Sequence, residues 1–367
     1  MLGVTVHPSV ETADLLYDAI SERLGSPQLR PRALLDRFNI ELRATTDGAT
    51  ATLEHHRRLV TDGLDGRVIP TFRPDALVQP DRPGWAGEVD RLAELTGIDT
   101  GSYPGFLAAL RRRRQDFVEA GALATDHGHF AADTTPLGDP AAAGLYDRAR
   151  RGRADRAEAA AFAAHMLYAM AEMSCADGLV MQLHPGVLRD YDKAVYVAFG
   201  PDHGFDIPVA AEFTRSLRPL LEAFGSQPGF RLVLFTVDES TYAWELAPIA
   251  GVYPAVRLGA PWWFLDSPDG MRRFRELTTD TAGFYNTTGF VDDTRAFASI
   301  PARHDLARRI DAGALARLVT EHRLDEDEAT QTAVDLAYRV PKEFYARPAA
   351  GALAAGPRQQ ALRATPM

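Results

Sequence analysis

The sequence predicts an α/β fold of the TIM-like (β/α)8 barrel class, without its first strand–helix unit. Three observations lead there. Short β-rich runs alternate with longer helical ones, polar and aromatic groups gather where each run gives way to its helix, and seven such exits occur where a closed barrel needs eight. Strands alternating with helices mean parallel pairing through βαβ units. A (β/α)8 barrel presents its chemistry on the loops at the C-terminal ends of its strands. A doubly wound sheet would instead carry a Gly-rich phosphate turn after its first strand, and none is present.

The elements follow in order. Helical periodicity covers Ala13–Leu24 and a shorter stretch near Arg32–Phe38, so residues 1–38 form an N-terminal helical segment packed on the barrel. The barrel itself is assigned to residues 39–346. Its β-like runs are Ile40–Thr46, Arg67–Phe72, Ala122–Asp126, Leu179–His184, Leu232–Val237, Val256–Phe264 and Phe284–Val291. Between them lie the helices Thr52–Leu59, Tyr103–Ala120, Arg156–Met173, Pro208–Phe224, Ser240–Ile249, Pro268–Thr278 and Pro301–Glu321. The Arg156–Met173 segment is apolar on most faces and is expected to be buried. Residues 347–367 are Ala/Gly/Pro-rich without apolar periodicity and read as a disordered tail. The first exit already follows two helices with no strand before them, so the opening βα unit is expected to be absent, leaving an exposed gap beside Ile40–Thr46.

Composition narrows the function. Fifty acidic against 40 basic side chains give a net charge of −10, which argues against tracking nucleic-acid phosphates. One cysteine, Cys175, excludes a disulfide framework and a Cys-based zinc site. Lys193 and Lys342 are the only lysines, so Schiff-base and P-loop chemistry start badly. No signal peptide or bilayer-length apolar run is present, and a cytoplasmic protein without membrane partners is the default expectation.

The exits read TTDG (45–48), FRPD (72–75), TDHGH (125–129), LHPG (183–186), TVDES (236–240), PWWFLD (261–266) and DDTR (292–295). Asp293 and Arg295 are two apart on an extended segment and share a side. The Asp suits a metal or a proton, the Arg a carboxylate fork; a surface ion pair is the plainer reading, with Asp292 as the exposed neighbour. His184 stands before Pro-Gly, which would hold its ring at the mouth to bind metal or relay a proton. His127-Gly128-His129 is not taken as a metal pair, because Gly128 signals that the turn has begun; Asp126 is the better catalytic residue, or else an N-cap. Arg73, forced extended by Pro74, binds an anion or pairs with Asp75. Of the adjacent Trp262 and Trp263, one faces inward as a platform for a sugar face. His55, His56, His165 and His304 read as structural or surface residues.

These motifs resemble the uronate (glucuronate) isomerases of the amidohydrolase superfamily. The matching stretches are SPQLRPRALLDRFNIELRATTD (26–47), LEHH (53–56), VIPTFRPD (68–75), ATDHG (124–128), QLHPGVLR (182–189), GPDHGFD (200–206), LGAPWWFLDSPDGM (258–271) and GFVDDTRAFASIPARHDLARRI (289–310), in family order up to about Arg339. The resemblance implies a distorted (β/α)8 barrel that interconverts D-glucuronate with D-fructuronate and D-galacturonate with D-tagaturonate. It places Arg73, Asp126, His184, Trp262, Asp293 and Arg295 on active-site positions, with Asp293 as metal ligand. It also implies an earlier segment bearing an HxH pair of metal ligands, which is expected to be missing from this chain. A divalent metal, zinc by expectation, is therefore weakly held or absent, and the activity of this chain alone is expected to be weak. The partner implied is a uronate sugar, and a homo-oligomer is compatible with the sequence. Two departures, Asp292-Asp293-Thr294-Arg295 for TDSR and Arg189-Asp190-Tyr191-Asp192 for an Asn-rich run, point to a divergent subgroup. The alternatives are a metal-dependent hydrolase of the same superfamily and a non-catalytic fragment or binding module.

Overall fold

The computed structural model describes residues 2–347. In chain order the strands are β1 (Arg43–Gly48), β2 (Val68–Arg73), β3 (Ala124–His127), β4 (Val180–Leu183), β5 (Val187–Leu188), β6 (Ile207–Pro208), β7 (Leu232–Leu234) and β8 (Val256–Leu258). Six of them form one parallel sheet in the order β1-β2-β3-β4-β7-β8. The seventh expected run, Phe284–Val291, contributes a single parallel bridge from Thr287 to Leu258. β5 and β6 form a separate antiparallel hairpin inserted after β4. The predicted tail lies outside the described residues from position 348 onward.

Alternation decides what each strand residue faces, because successive side chains point to opposite sides of the sheet. Phe72, Met181, Leu183, Leu232 and Leu234 point to the helices and join the main core with Phe106, Leu110, Phe117, Phe162 and Met166. The other face carries Ala124, Val180 and Val233, packed against Phe235, Phe344 and Tyr345. Asp126 and His184 follow Ala124 and Val180 at even spacing and belong to this inner face. Such short strands buried on both faces explain why the sequence shows apolar runs rather than clean alternation.

Helix Arg156–Asp177 is the most buried, as its all-round apolar pattern requires. Asp155 and Glu158 form a reciprocal capping box at its start, and Gly178 ends it at φ 75°. It is bound to helix Tyr103–Glu119 by Arg114, whose guanidinium donates to both Asp177 oxygens at 2.6 and 2.9 Å and to Ser174 at 3.0 Å. The Arg114 side chain is only 1% exposed. Asp177→Ala leaves that cation buried and unpaired, and we expect a loss of about 3–5 kcal/mol. A lower urea midpoint at unchanged m-value would register it.

Several expectations are corrected. The helix expected over Pro208–Phe224 spans only Arg218–Phe224. Pro208 pairs in β6, and the Glu212 carboxylate takes the N–H groups of Arg215 and Ser216, so the helix waits for Pro219 in its first turn. The strand expected to reach Phe264 stops at Leu258. There Gly259 lies so close to the Phe235 ring that a Cβ would sit 2.2 Å from it, and Pro261 cannot donate to a ladder. Helices Trp85–Thr96 and Asp139–Arg150 were not anticipated, although Gly97 past the end of one and Pro140 at the start of the other mark their boundaries. In the N-terminal segment, helix Ala13–Leu24 buries no residue, whereas helix Pro31–Arg37 buries Leu34 and Leu35. Among the described residues, no helix is long and apolar enough to cross a membrane.

Candidate active site

The strand ends bring three of the predicted residues together. Arg73 closes β2, Asp126 lies in β3, and His184 follows β4 directly. The His184 and Asp126 backbones are held level, since the His184 N–H donates to the His127 carbonyl at 3.0 Å. His184 Nε2 lies 2.8 Å from Asp126 Oδ1, and Arg73 Nη1 lies 3.4 Å from Asp126 Oδ2. On its other side Arg73 Nε donates to Asp75 Oδ2 at 2.8 Å. Pro74 starts the turn that delivers Asp75 back toward the sheet, so Arg73 both pairs with Asp75 and faces the inner group.

Electrostatics hold the two carboxylates and the guanidinium ionised. Burial works to raise the Asp126 carboxyl, but His184 and Arg73 outweigh it and bring it below the usual carboxylate range. Burial likewise opposes ionisation of Asp75, yet Arg73 and His129 carry it down to about 2. Burial pulls on the Arg73 guanidinium in the same way, and Asp75 and Asp126 override it.

Trp262 joins them. Its ring meets His184 edge-on at 5.1 Å and also touches Phe235 and Trp263. Its buried indole N–H has no acceptor among the described residues, a donor left for a bound hydroxyl or carboxylate. The simple inward–outward alternation expected of the tryptophan pair is corrected. Trp263 has φ 53° and opens a 3-10 turn, so the two rings lie against each other, with Arg189 over Trp263 at 4.7 Å.

The last exit is arranged otherwise than expected. Asp292, taken for the exposed neighbour, has a side chain only 8% exposed and is paired with Arg303. Arg303 also reaches Asp266 at 2.5 Å. Asp293 and Arg295 are both exposed. Arg43 of β1 holds their loop by a 3.1 Å bond to the Thr294 carbonyl. The Asp293 charge is felt at Asp266, where it adds to the burial that raises that carboxyl. No hydrogen bond or ion pair among the described residues joins Asp293 or Arg295 to the Arg73–Asp126–His184 group.

In the His127–Gly128–His129 sequence, set aside as a metal pair, β3 does end before Gly128, but the two rings are not separated by it. His127 is still in β3, and His127 and His129 are both buried, their ring centres 6.2 Å apart. Ligand-type atoms of Asp75, His127 and His129 all lie within 4.8 Å of one another. Burial, reinforced by His129, takes the His127 imidazole to about 3, and burial takes His129 to about 4, so both are neutral. This is the one group of three or more His, Cys, Asp or Glu donors among the described residues, and Asp293 is not in it. A metal resting on Asp293 therefore finds no second and third donor there. The i, i+2 spacing at the end of a strand was the signal that could have found the pair.

Of the four other histidines set aside, His55 is exposed and three are accounted for by contacts. His56 sits 2.9 Å from Thr45, His165 2.6 Å from Tyr103, and His304 against the Phe290 ring. A cavity of about 700 Å³ elsewhere is lined by Glu212, Glu239 and Glu245 with Arg215 as its one cation, a poor match for an anion.

The sequence profile of the family described as glucuronate isomerase matches residues 1–345. The uronate isomerase of Rhizorhabdus wittichii is 57% identical over 345 residues, covering 94% of this chain and 74% of its own length. That of Rhizobium meliloti is 54% identical with the same coverage. In three dimensions the fold superposes on the crystal structure of glucuronate isomerase from Caulobacter crescentus with a TM-score of 0.91 and 48% identity, over 95% of this chain and 73% of that one. It superposes on uronate isomerase from Thermotoga maritima with a TM-score of 0.88 and 30% identity, over 94% and 76%. The barrel-type fold, the strand-end group and these likenesses agree, and the chain belongs to the glucuronate isomerase family.

Proposed function

We propose that the chain interconverts D-glucuronate with D-fructuronate and D-galacturonate with D-tagaturonate at the inner face formed by Arg73, Asp126, His184 and Trp262. The observation that carries this assignment is the His184–Asp126 contact of 2.8 Å with Arg73 against the same carboxylate. Aldose–ketose exchange takes a proton from C2, places negative charge on an enediolate, and returns a proton to C1. C1 is reduced and C2 oxidised within one molecule, so no outside electron acceptor is needed.

Each residue has a part in that sequence. Asp126 holds Nε2 of His184, which leaves Nδ1 as the atom that takes and gives the proton, and the ionised carboxylate steadies the imidazolium formed. Arg73 sits where negative charge accumulates and keeps Asp126 ionised. Trp262 lines the sugar and offers its unpartnered N–H. Arg295, exposed and without an ion pair among the described residues, is the cation left for the C6 carboxylate. A divalent ion bound beside the substrate would polarise its carbonyl, but the residues around Asp293 do not make a donor set for one, and no step here depends on it.

Incubation with either aldo-uronate in D2O should yield the keto-uronate with deuterium at C1. Hydrolysis of lactone or amide substrates without any ketose would overturn the assignment in favour of a hydrolase.

A further inference from the structure

We propose that Asp75, His127 and His129 hold one divalent transition-metal ion where β2 and β3 end, and that it fixes the Arg73 turn there. Alternation places His127. Asp126 belongs to the inner face, so His127 beside it points the other way, toward the helices. β3 ends at His127, yet His129 stays beside it with the ring centres 6.2 Å apart, and the turn after β2 brings Asp75 to meet them. The site is distinct from Asp293 and adjoins the face where the sugar is handled, because Asp75 is bonded to Arg73.

The donors await a partner. His127 Nδ1 and His129 Nε2 are both buried and have no hydrogen-bond partner among the described residues, although buried polar atoms are nearly always satisfied. Their residues are 0% and 5% exposed. The surroundings orient them as the outer shell of a metal site does. Thr125 Oγ1 lies 2.9 Å from His127 Nε2 and fixes that ring by its other nitrogen. Asp75 Oδ2 accepts from Arg73 Nε and Gly128 N, whereas Oδ1 accepts from Gly128 N alone. A carboxylate has about four lone-pair sites, so Oδ1 keeps one free. In a tetrahedral zinc site with bonds of about 2.0–2.2 Å the ligands stand about 3.3–3.6 Å apart. The observed 4.8 Å spread closes with movements of ~1 Å or less in each side chain. Two imidazoles and one carboxylate suit zinc, cobalt or nickel and not magnesium or calcium.

An ion here would clamp the end of β2 to the end of β3 through Asp75, and Asp75 is the anchor of Arg73. The test uses the full chain, stripped with chelator and titrated with Co2+ and Zn2+ by calorimetry, with metal content and the visible Co2+ spectrum as readouts. We expect one tightly held ion with a tetrahedral spectrum in the unaltered chain, retained by Asp293→Asn. Affinity should fall at least 100-fold in both His127→Gln and His129→Gln, each checked for folding by circular dichroism. Should a variant not fold, X-ray absorption of the unaltered Zn2+ complex decides, with two imidazole nitrogens expected in the first shell. No bound ion, an ion lost in Asp293→Asn but kept in His129→Gln, or a first shell without two imidazoles would overturn the proposal. Ketose formation is not the readout, so the isomerase assignment can fail or stand independently.

Discussion

His184→Gln is expected to lower kcat by about 10²–10⁴-fold, the range in which a positioned proton carrier contributes. The amide can still reach Asp126 but cannot carry a proton at neutral pH. Asp126→Asn should cost a similar amount by a different route. It removes the acceptor that fixes Nε2 at 2.8 Å and one of the two charges on Arg73. Because the two residues act as one device, the double variant should be scarcely worse than either single one, a strong departure from additivity. Steady-state kinetics with D-glucuronate, and wash-out of the C2 proton into solvent, measure both quantities. Additive losses would mean that His184 and Asp126 serve different steps, and near-normal wash-out in His184→Gln would remove it from the proton path.

The strand exits were legible because burial on both faces forces short apolar runs, and those runs stop where polar groups are needed. Arg73, Asp126 and His184 could each be named on that ground alone, before any contact was known. What the sequence did not convey was which way residues point once a strand has ended. His129 still lies beside His127, although Gly128 suggested a turn that would separate them. Trp262 and Trp263 fail in the opposite sense, since Gly259 and Pro261 end the strand early and a positive φ at Trp263 brings both rings together. At Asp292 and Asp293 the buried partner was chosen by Arg303, eleven residues on in the next helix. Such a choice depends on tertiary packing, and spacing within the motif is silent about it. Asp75 was visible only as a partner for Arg73, because its bond to Gly128 crosses from one strand exit to the next.

Gly128→Ala should reduce kcat by about 100-fold while costing only ~1–3 kcal/mol of stability. The backbone at Gly128 is not in the left-handed region, so an alanine meets no conformational penalty there. The conflict is one of space. An added Cβ would stand 2.5 Å from Arg73 Nη2, 2.9 Å from Asp75 Oδ2 and 3.0 Å from His184 Cε1. A free arginine head would swing aside at little cost. This one is held on both sides, by Asp75 at 2.8 Å and Asp126 at 3.4 Å, so the methyl group displaces the guanidinium and the imidazole together. A shift of ~1 Å in such groups is enough for a loss of that size. The split between activity and stability is the diagnostic: a thermal midpoint close to normal with collapsed turnover places the effect in the geometry of Arg73 and His184. Full activity in Gly128→Ala would mean that the close approach of these three side chains is not needed for isomerisation.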